Sequence, residues 1–462
     1  MPTPISELLK QQQGQHFDLH EQYLNNQMVR VLKTIGYDRT YTRAEGQYLY
    51  DQDNNKYLDL LSGFGVYALG RNHPAIIAAL QDVLNAELPD LVQLDVSLLS
   101  GMLAEKIVQN TPDGLNRLFF CNSGSEAVEA AIKFARYTTG RTKIVFCEHG
   151  YHGLTMGSLS LNGENVFREG FGPLLPDCSA VPFNDLAALE QALASNDVAA
   201  FIVEPIQGKG VNLPDDDYLP EVQRLCKQYG TLFVADEVQT GLGRTGELWA
   251  VNHWNVEPDM LLMAKALSGG FVAVGAVAMK SFIMDKVFNR MDRAVVHGST
   301  FSKNNMAMAA GLSTLMVIEE ENLVEKSRQS GEQLISRLSA LIDQYEFLYE
   351  VRGKGLMIAI EFGSPKSLKL KAAWTMLETA NKGLFCQMVT IPLFSEHRVL
   401  TQVAGHGMNV VKLLPPLIIT EKDIDWVVDG FDKTIADCHK VPGSIWDLGK
   451  TLAGHALKSK NR

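Results

Sequence analysis

The chain is poor in features that would place it in an oxidising compartment or against a polyanion. Its six cysteines, Cys121, Cys147, Cys178, Cys226, Cys386 and Cys438, lie far apart and form no C-x-x-C pair, a usage that reads as reduced thiols in the cytoplasm. There is no long Lys/Arg cluster, and 42 basic against 53 acidic residues leave a formal net charge of -11, which argues against nucleic acid and anionic membrane as partners. The opening MPTPISELLKQQQGQHFDLHEQYL lacks a basic region followed by an apolar core, so no export is expected. Neither an internal repeat nor a low-complexity linker is evident. One apolar stretch, Met260 to Met279, is long enough to span a membrane. Ser268-Gly269-Gly270 breaks it, Ala273 to Met279 is strand-like, and no second span exists to shelter its one charge, Lys265.

What is present is apolar mass in an alternating pattern. With 462 residues, 46% of them hydrophobic, the chain supports a large core divided over two or more lobes. Gly46 to Leu61 alternates like a hairpin around Asp51-Gln52-Asp53-Asn54-Asn55. From about His73 to Leu312, strand-like runs at Leu118 to Asn122, Lys143 to Cys147, Val198 to Val203 and Leu232 to Asp236 alternate with helical periods. Val128, Ala131, Ile132 and Ala135 share one helix face, and Val222, Leu225, Cys226 and Tyr229 share another, stopped by Gly230. That alternation predicts an α/β fold with a mostly parallel sheet covered by helices. Later, Leu348 to Phe362, Gly383 to Thr390 and Asn409 to Leu414 read as strands and Glu421 to Cys438 as a closing helix. The predicted division is 1–72 and 326–440 as two parts of a small domain, 73–325 as the large domain, and 441–462 as a loosely held tail.

Three strand ends carry chemistry. Lys265 is the single charge within its apolar stretch; it reads either as a structural ion-pair lysine or as a buried amine, which tends to lose its proton and become a nucleophile toward carbonyls. Asp236 closes a buried strand, either capping backbone donors or pairing with a cation held in the core. Ser123-Gly124-Ser125-Glu126 is a capping box by spacing and equally a phosphate seat, since Gly124 admits an anion to a helix N-terminus. Gly241-Leu242-Gly243-Arg244-Thr245-Gly246 satisfies G-x-G-x-x-G, but Glu237 to Thr240 separate it from the strand and no clean amphipathic helix follows. It is read as a tight surface turn rather than a dinucleotide site. An amine, an acid for a pyridine nitrogen and an anion seat are together what pyridoxal 5'-phosphate requires.

With these groups in place the chain resembles the class III, ornithine-aminotransferase-like (omega-transaminase) family of pyridoxal-phosphate enzymes. The matching stretches are LDLLSGFGVYALGRNHP (from Leu58), NSGSEAVEAAIKFAR (from Asn122), YHGLTMGSLSLNG (from Tyr151), VEPIQG (from Val203), ADEVQTGLGRTG (from Ala235), AKALSGG (from Ala264), HGSTFSKN (from His297) and LLPPL (from Leu413). The resemblance implies fold type I, with a mostly parallel seven-stranded sheet in the large domain and a smaller α+β domain built from both chain ends. It implies that Lys265 bonds to the coenzyme, Asp236 pairs with the ring nitrogen, Gln239 lies near the ring oxygen, and Tyr151 and Val238 cover the two ring faces. Ser123, Gly124 and Ser125 would hold the phosphate, with Thr300 arriving from the neighbouring subunit of a homodimer. No metal is assigned.

The implied activity is a ping-pong exchange of an amino group between an amine or amino acid and a keto acid or aldehyde; a racemase, aminomutase or decarboxylase on the same site is the alternative. Substrate contacts are expected from Phe64 and Tyr67 at the entrance, with Phe301 as a further aromatic. Glu204 is read either as the gate of a substrate arginine or as a structural strand end. Lys412 stands where relatives often have arginine, and Arg398 is a candidate for a keto acid's carboxylate or a surface residue. The aromatics favour a long or apolar amine. After Thr300-Phe301 the chain departs from the family's Gly-Gly-Asn-Pro, reading Ser302-Lys303-Asn304-Asn305.

Overall fold

The computed structural model describes residues 3–90 and 96–460, the side chains of 455–460 excepted. Its centre is a seven-stranded sheet with the strand order Leu115–Cys121, Gly275–Lys280, Met260–Met263, Leu232–Asp236, Val198–Val203, Lys143–Cys147, Cys178–Val181. Gly275–Lys280 runs antiparallel to both its neighbours, and the remaining pairs are parallel. Strands buried on both faces have no polar side to alternate with, hence the unbroken apolar runs. Phe201, Phe233, Ala235 and Leu261 pack on one face with Val145, while Ile202, Val234 and Leu262 pack on the other with Ile144.

The two chain ends meet in smaller sheets. The hairpin Tyr48–Asp51 and Lys56–Asp59 gains Val399–Leu400 as a parallel neighbour, with Val399 opposite Leu58. Leu348–Lys354, Met357–Phe362, Val410–Leu413 and Gln402–Val403 form the other sheet. Glu421–Cys438 is the expected closing helix, begun by a Thr420–Asp423 capping box.

Three expectations are corrected. Gly383 to Thr390 is not a strand: Leu384–Ser395 is a helix whose Leu384, Phe385, Cys386, Met388, Val389, Leu393 and Phe394 are all buried. Only the narrow face of Gln387, Ile391 and Ser395 escapes burial, too little polar character to mark a 3.6-residue stripe, so the apolar run imitates a buried strand. Ser444–Lys460 is not a loose tail but a helix whose buried Trp446 donates Nε1–H to the Cys438 carbonyl at 2.9 Å, the last two positions of the expected tail lying outside the described residues. The Gly241 to Gly246 turn lies inside rather than at the surface: Arg244 is 1% exposed there and donates to the carbonyls of Leu356 and Pro415.

Candidate active site

A cleft of about 900 Å³ opens at the carboxyl ends of the parallel strands, the edge where open α/β sheets place ligands. Ser123, Tyr151, Glu204, Asp236 and Lys265 all follow or end those strands and line it. Lys265 begins a single 3-10 turn with a left-handed φ of 44°, a strained geometry for lysine that functional sites tend to hold. Among the described residues its ammonium makes no hydrogen bond or ion pair. Burial pushes its pKa below the usual lysine value, against the pull of Asp236 and Glu204.

Asp236 is 3% exposed, with Oδ1 accepting from Val238 N at 3.1 Å and Oδ2 lying 2.7 Å from His152 Nδ1. For His152, burial opposes the charged ring, but the hydrogen bond and charge of Asp236, aided by Glu204, outweigh it and raise the pKa. Glu204 accepts from the backbone N–H groups of Tyr151 at 2.9 Å and Gly208 at 2.8 Å, and burial raises its carboxyl although His152 pulls it back. No arginine pairs with Glu204 among the described residues.

The anion seat and the capping box coexist. Ser123 Oγ accepts from Glu126 N at 3.2 Å and Glu126 Oε2 accepts from Asn122 N at 2.7 Å, which leaves the N–H groups of Gly124 and Ser125 without a partner among the described residues. Both residues line the cleft. A Cβ at Gly124 would lie 2.9 Å from Val238 Cγ1, so a side chain there would collide with the residue expected beneath the ring. Gly153, with φ of 120°, brings the Tyr151 loop so close that a Cβ would lie 2.2 Å from Ser125 Oγ. An amine, an acid and free helix-terminal donors around one cleft fit pyridoxal phosphate.

Lys412 is 4% exposed; its Nζ donates to the Gly208 carbonyl at 2.7 Å and to Gln239 Oε1 at 3.3 Å. Burial, then the charge of Lys265, lowers its pKa to about 7. Gln239 Nε2 donates in turn to the carbonyl of Phe64, which stands at the mouth. Four sequence candidates do not line this cleft. Tyr67 packs under the Arg71 guanidinium and beside Gly270. Thr300 and Phe301 are exposed away from it. Arg398, in a left-handed turn before its strand, faces a separate hollow with Asp51 and Tyr57. Conversely, sequence reasoning missed His152, Phe167 and Lys209. His152 sits within the YHG stretch and Lys209 directly after VEPIQG, but nothing local marks Phe167.

Comparison with known proteins agrees with this geometry. The family Aminotransferase class-III matches residues 33–435. The chain is 37% identical over 389 residues to acetylornithine aminotransferase of Bacillus cereus, covering 84% of this chain and 92% of that one. It is 35% identical over 452 residues to aminotransferase PigE of Serratia sp., covering 91% of this chain but 53% of PigE, so the chain spans about half the length of that relative. Among solved structures, ornithine aminotransferase from Toxoplasma gondii superposes with a TM-score of 0.77 at 29% identity, over 90% of this chain and 96% of that one. A thermostable omega transaminase variant engineered for bulky amines gives a TM-score of 0.77 at 28% identity, over 90% of this chain and 96% of its own. The seven-stranded sheet, the strand-end cleft and these matches together make the chain a member of the class-III aminotransferases, enzymes that transfer amino groups with pyridoxal phosphate.

Proposed function

We propose that Lys265 Nζ both anchors the coenzyme covalently and moves the substrate's α-proton, in a ping-pong exchange between an amine and a keto acid. The supporting observation is that Lys265, Asp236 and the free N–H groups of Gly124 and Ser125 line one cleft. When bound, pyridoxal phosphate supplies an aldehyde that condenses with amines and a ring that draws electrons from the adjoining carbon. Burial favours the uncharged form of Lys265, so Nζ has a lone pair for bonding and later for taking up a proton. A free Nζ would take the donor's α-proton and return it nearby; holding the base in place spares the entropy of recruiting one. Asp236, fixed by His152 and Val238 N, would keep a proton on the ring nitrogen. Tyr151 and Val238 would cover the ring faces, Gln239 would address the ring oxygen, and Phe64 would exclude water at the mouth.

Phe64, Phe167, Phe271, Val272 and Val274 give the cleft an apolar wall, which supports a long or apolar amine as donor, or its aldehyde as acceptor. The working unit would be a homodimer in which Thr300 serves the neighbour's phosphate. Thr300 lies outside its own cleft in a segment exposing Met291, Val295 and Phe301, as a surface kept for a second copy would. The expected compartment is the cytoplasm, in keeping with the free cysteines. The test is to mix holoprotein with a panel of amines, follow loss of the coenzyme's visible absorbance, and restore it with pyruvate or 2-oxoglutarate. Loss and recovery are expected. Product formed without conversion to the pyridoxamine form would replace this reading with that of a racemase or decarboxylase.

A further inference from the structure

We propose that Lys209 and Lys412 form a two-ammonium seat for the carboxylate of the acceptor keto acid, making Lys209 a specificity-determining residue. The identity of the substrate rests on the aminotransferase reading; the seat rests on its own geometry.

Lys209 is 9% exposed, it lines the cleft, and its Nζ is a buried donor with no hydrogen-bond partner among the described residues. Its surroundings compensate only part of its charge. Glu164 Oε1 is 3.8 Å away, too far for a hydrogen bond, and the same oxygen is held by His149 Nδ1 at 2.7 Å. The Phe167 ring, with its centroid 4.6 Å from Nζ, adds a cation–π contact. A buried ammonium that leaves its donors unused is costly to keep, so the fold retains it at the expense of its own stability.

Lys412 completes the arrangement. An ammonium has three donors; two of Lys412's are spent on the Gly208 carbonyl and Gln239 Oε1, and one remains. Gly208 directly precedes Lys209, so the two side chains flank the same loop, and the charge of Lys209 adds, behind burial and the charge of Lys265, to what holds the Lys412 pKa down. Glu204 is the acid that acts on both, yet its oxygens go to the backbone of Tyr151 and Gly208 and not to either ammonium. The cleft lining therefore holds three lysines, Lys209, Lys265 and Lys412, against two carboxylates, Glu204 and Asp236. An anion set between Lys209 and Lys412 fills the idle donors and removes the repulsion between like charges. A ligand's carboxylate, flat and with two oxygens, offers one acceptor to each ammonium.

The test uses glutarate, a dicarboxylate with no carbonyl to react, titrated into holoprotein while thermal unfolding is followed. Wild type should show a saturable rise in Tm. In Lys209→Met, which preserves side-chain length, the half-saturating concentration should increase about tenfold or more, as loss of a charge-assisted hydrogen bond requires, and Lys209→Arg should restore it. In parallel, the ratio of kcat/KM for 2-oxoglutarate to that for the amine donor should fall about tenfold in Lys209→Met. An unchanged glutarate response in Lys209→Met, no saturable response in wild type, or an equal fall in both kcat/KM values would overturn the seat. Because glutarate reads binding without turnover, a protein that binds it but never transfers an amino group would sink the aminotransferase reading and leave the seat standing.

Discussion

Replacing Asp236 by Asn tests the acid and the stability of the site together. Asn keeps the shape and can still accept from Val238 N, but it removes the negative charge 2.7 Å from His152 Nδ1. A hydrogen bond to a charged group contributes about 1.5–3 kcal/mol net, so Asp236→Asn should lower unfolding free energy by roughly that amount at pH 6. The pH dependence follows from His152, whose pKa in the fold is raised above 6.5. A raised histidine stabilises fully below its unfolded value and loses that contribution as pH climbs through the folded value. The deficit of the variant should therefore be largest near pH 6 and shrink toward alkaline pH. Without the carboxylate, burial, the largest influence on His152, is opposed only by the smaller pull of Glu204, so the neutral ring is favoured. Catalysis should suffer separately: single-turnover proton removal from an amine donor, measured by stopped flow, should slow by about 10²–10⁴-fold, the range for a lost acid–base partner. A pH-independent stability difference, or a rate within about threefold of wild type, would refute this account of Asp236 and His152.

Burial and Lys265 set Lys412 at about 7, and the protonated form is the one that holds an anion. Acceptor kcat/KM should therefore fall as pH rises through that value, and Lys412→Arg should move the falling limb above about pH 9, because guanidinium stays charged; superimposable profiles would contradict this. Trp446→Ala should cost roughly 3–5 kcal/mol by leaving a cavity against Phe347, Phe385 and Cys438, read as a drop in denaturation midpoint. A change under about 1 kcal/mol would return the last helix to the status of a loose tail.

Much of the scaffold was legible because local pattern and tertiary role coincide. Ile144 to Cys147 and Val198–Val203 are unbroken apolar runs bounded by polar residues, and they are sheltered on both faces. Glu421–Cys438 carries its own start signal at Thr420. Leu384–Ser395 was not legible, since burial of all but one narrow face nearly erases the stripe that marks a helix. The seating of Trp446 depends on a pocket made by distant residues. In the site, Lys265 and Asp236 could be found as charges inside apolar runs. His152 and Lys209 could not, because what distinguishes them is a partner 84 residues away in one case and the lack of a partner in the other. Arg398 was left with two readings for a related reason: closeness in sequence to a substrate-side strand says nothing about which hollow its guanidinium lines.

The central claim is that one interior lysine holds the coenzyme. Holoprotein reduced with borohydride, digested and mapped by mass spectrometry should carry the added pyridoxyl phosphate mass on the peptide containing Lys265. Finding that mass on Lys412, Lys209 or another lysine, or recovering the Lys265 peptide unmodified from fully loaded protein, would contradict it.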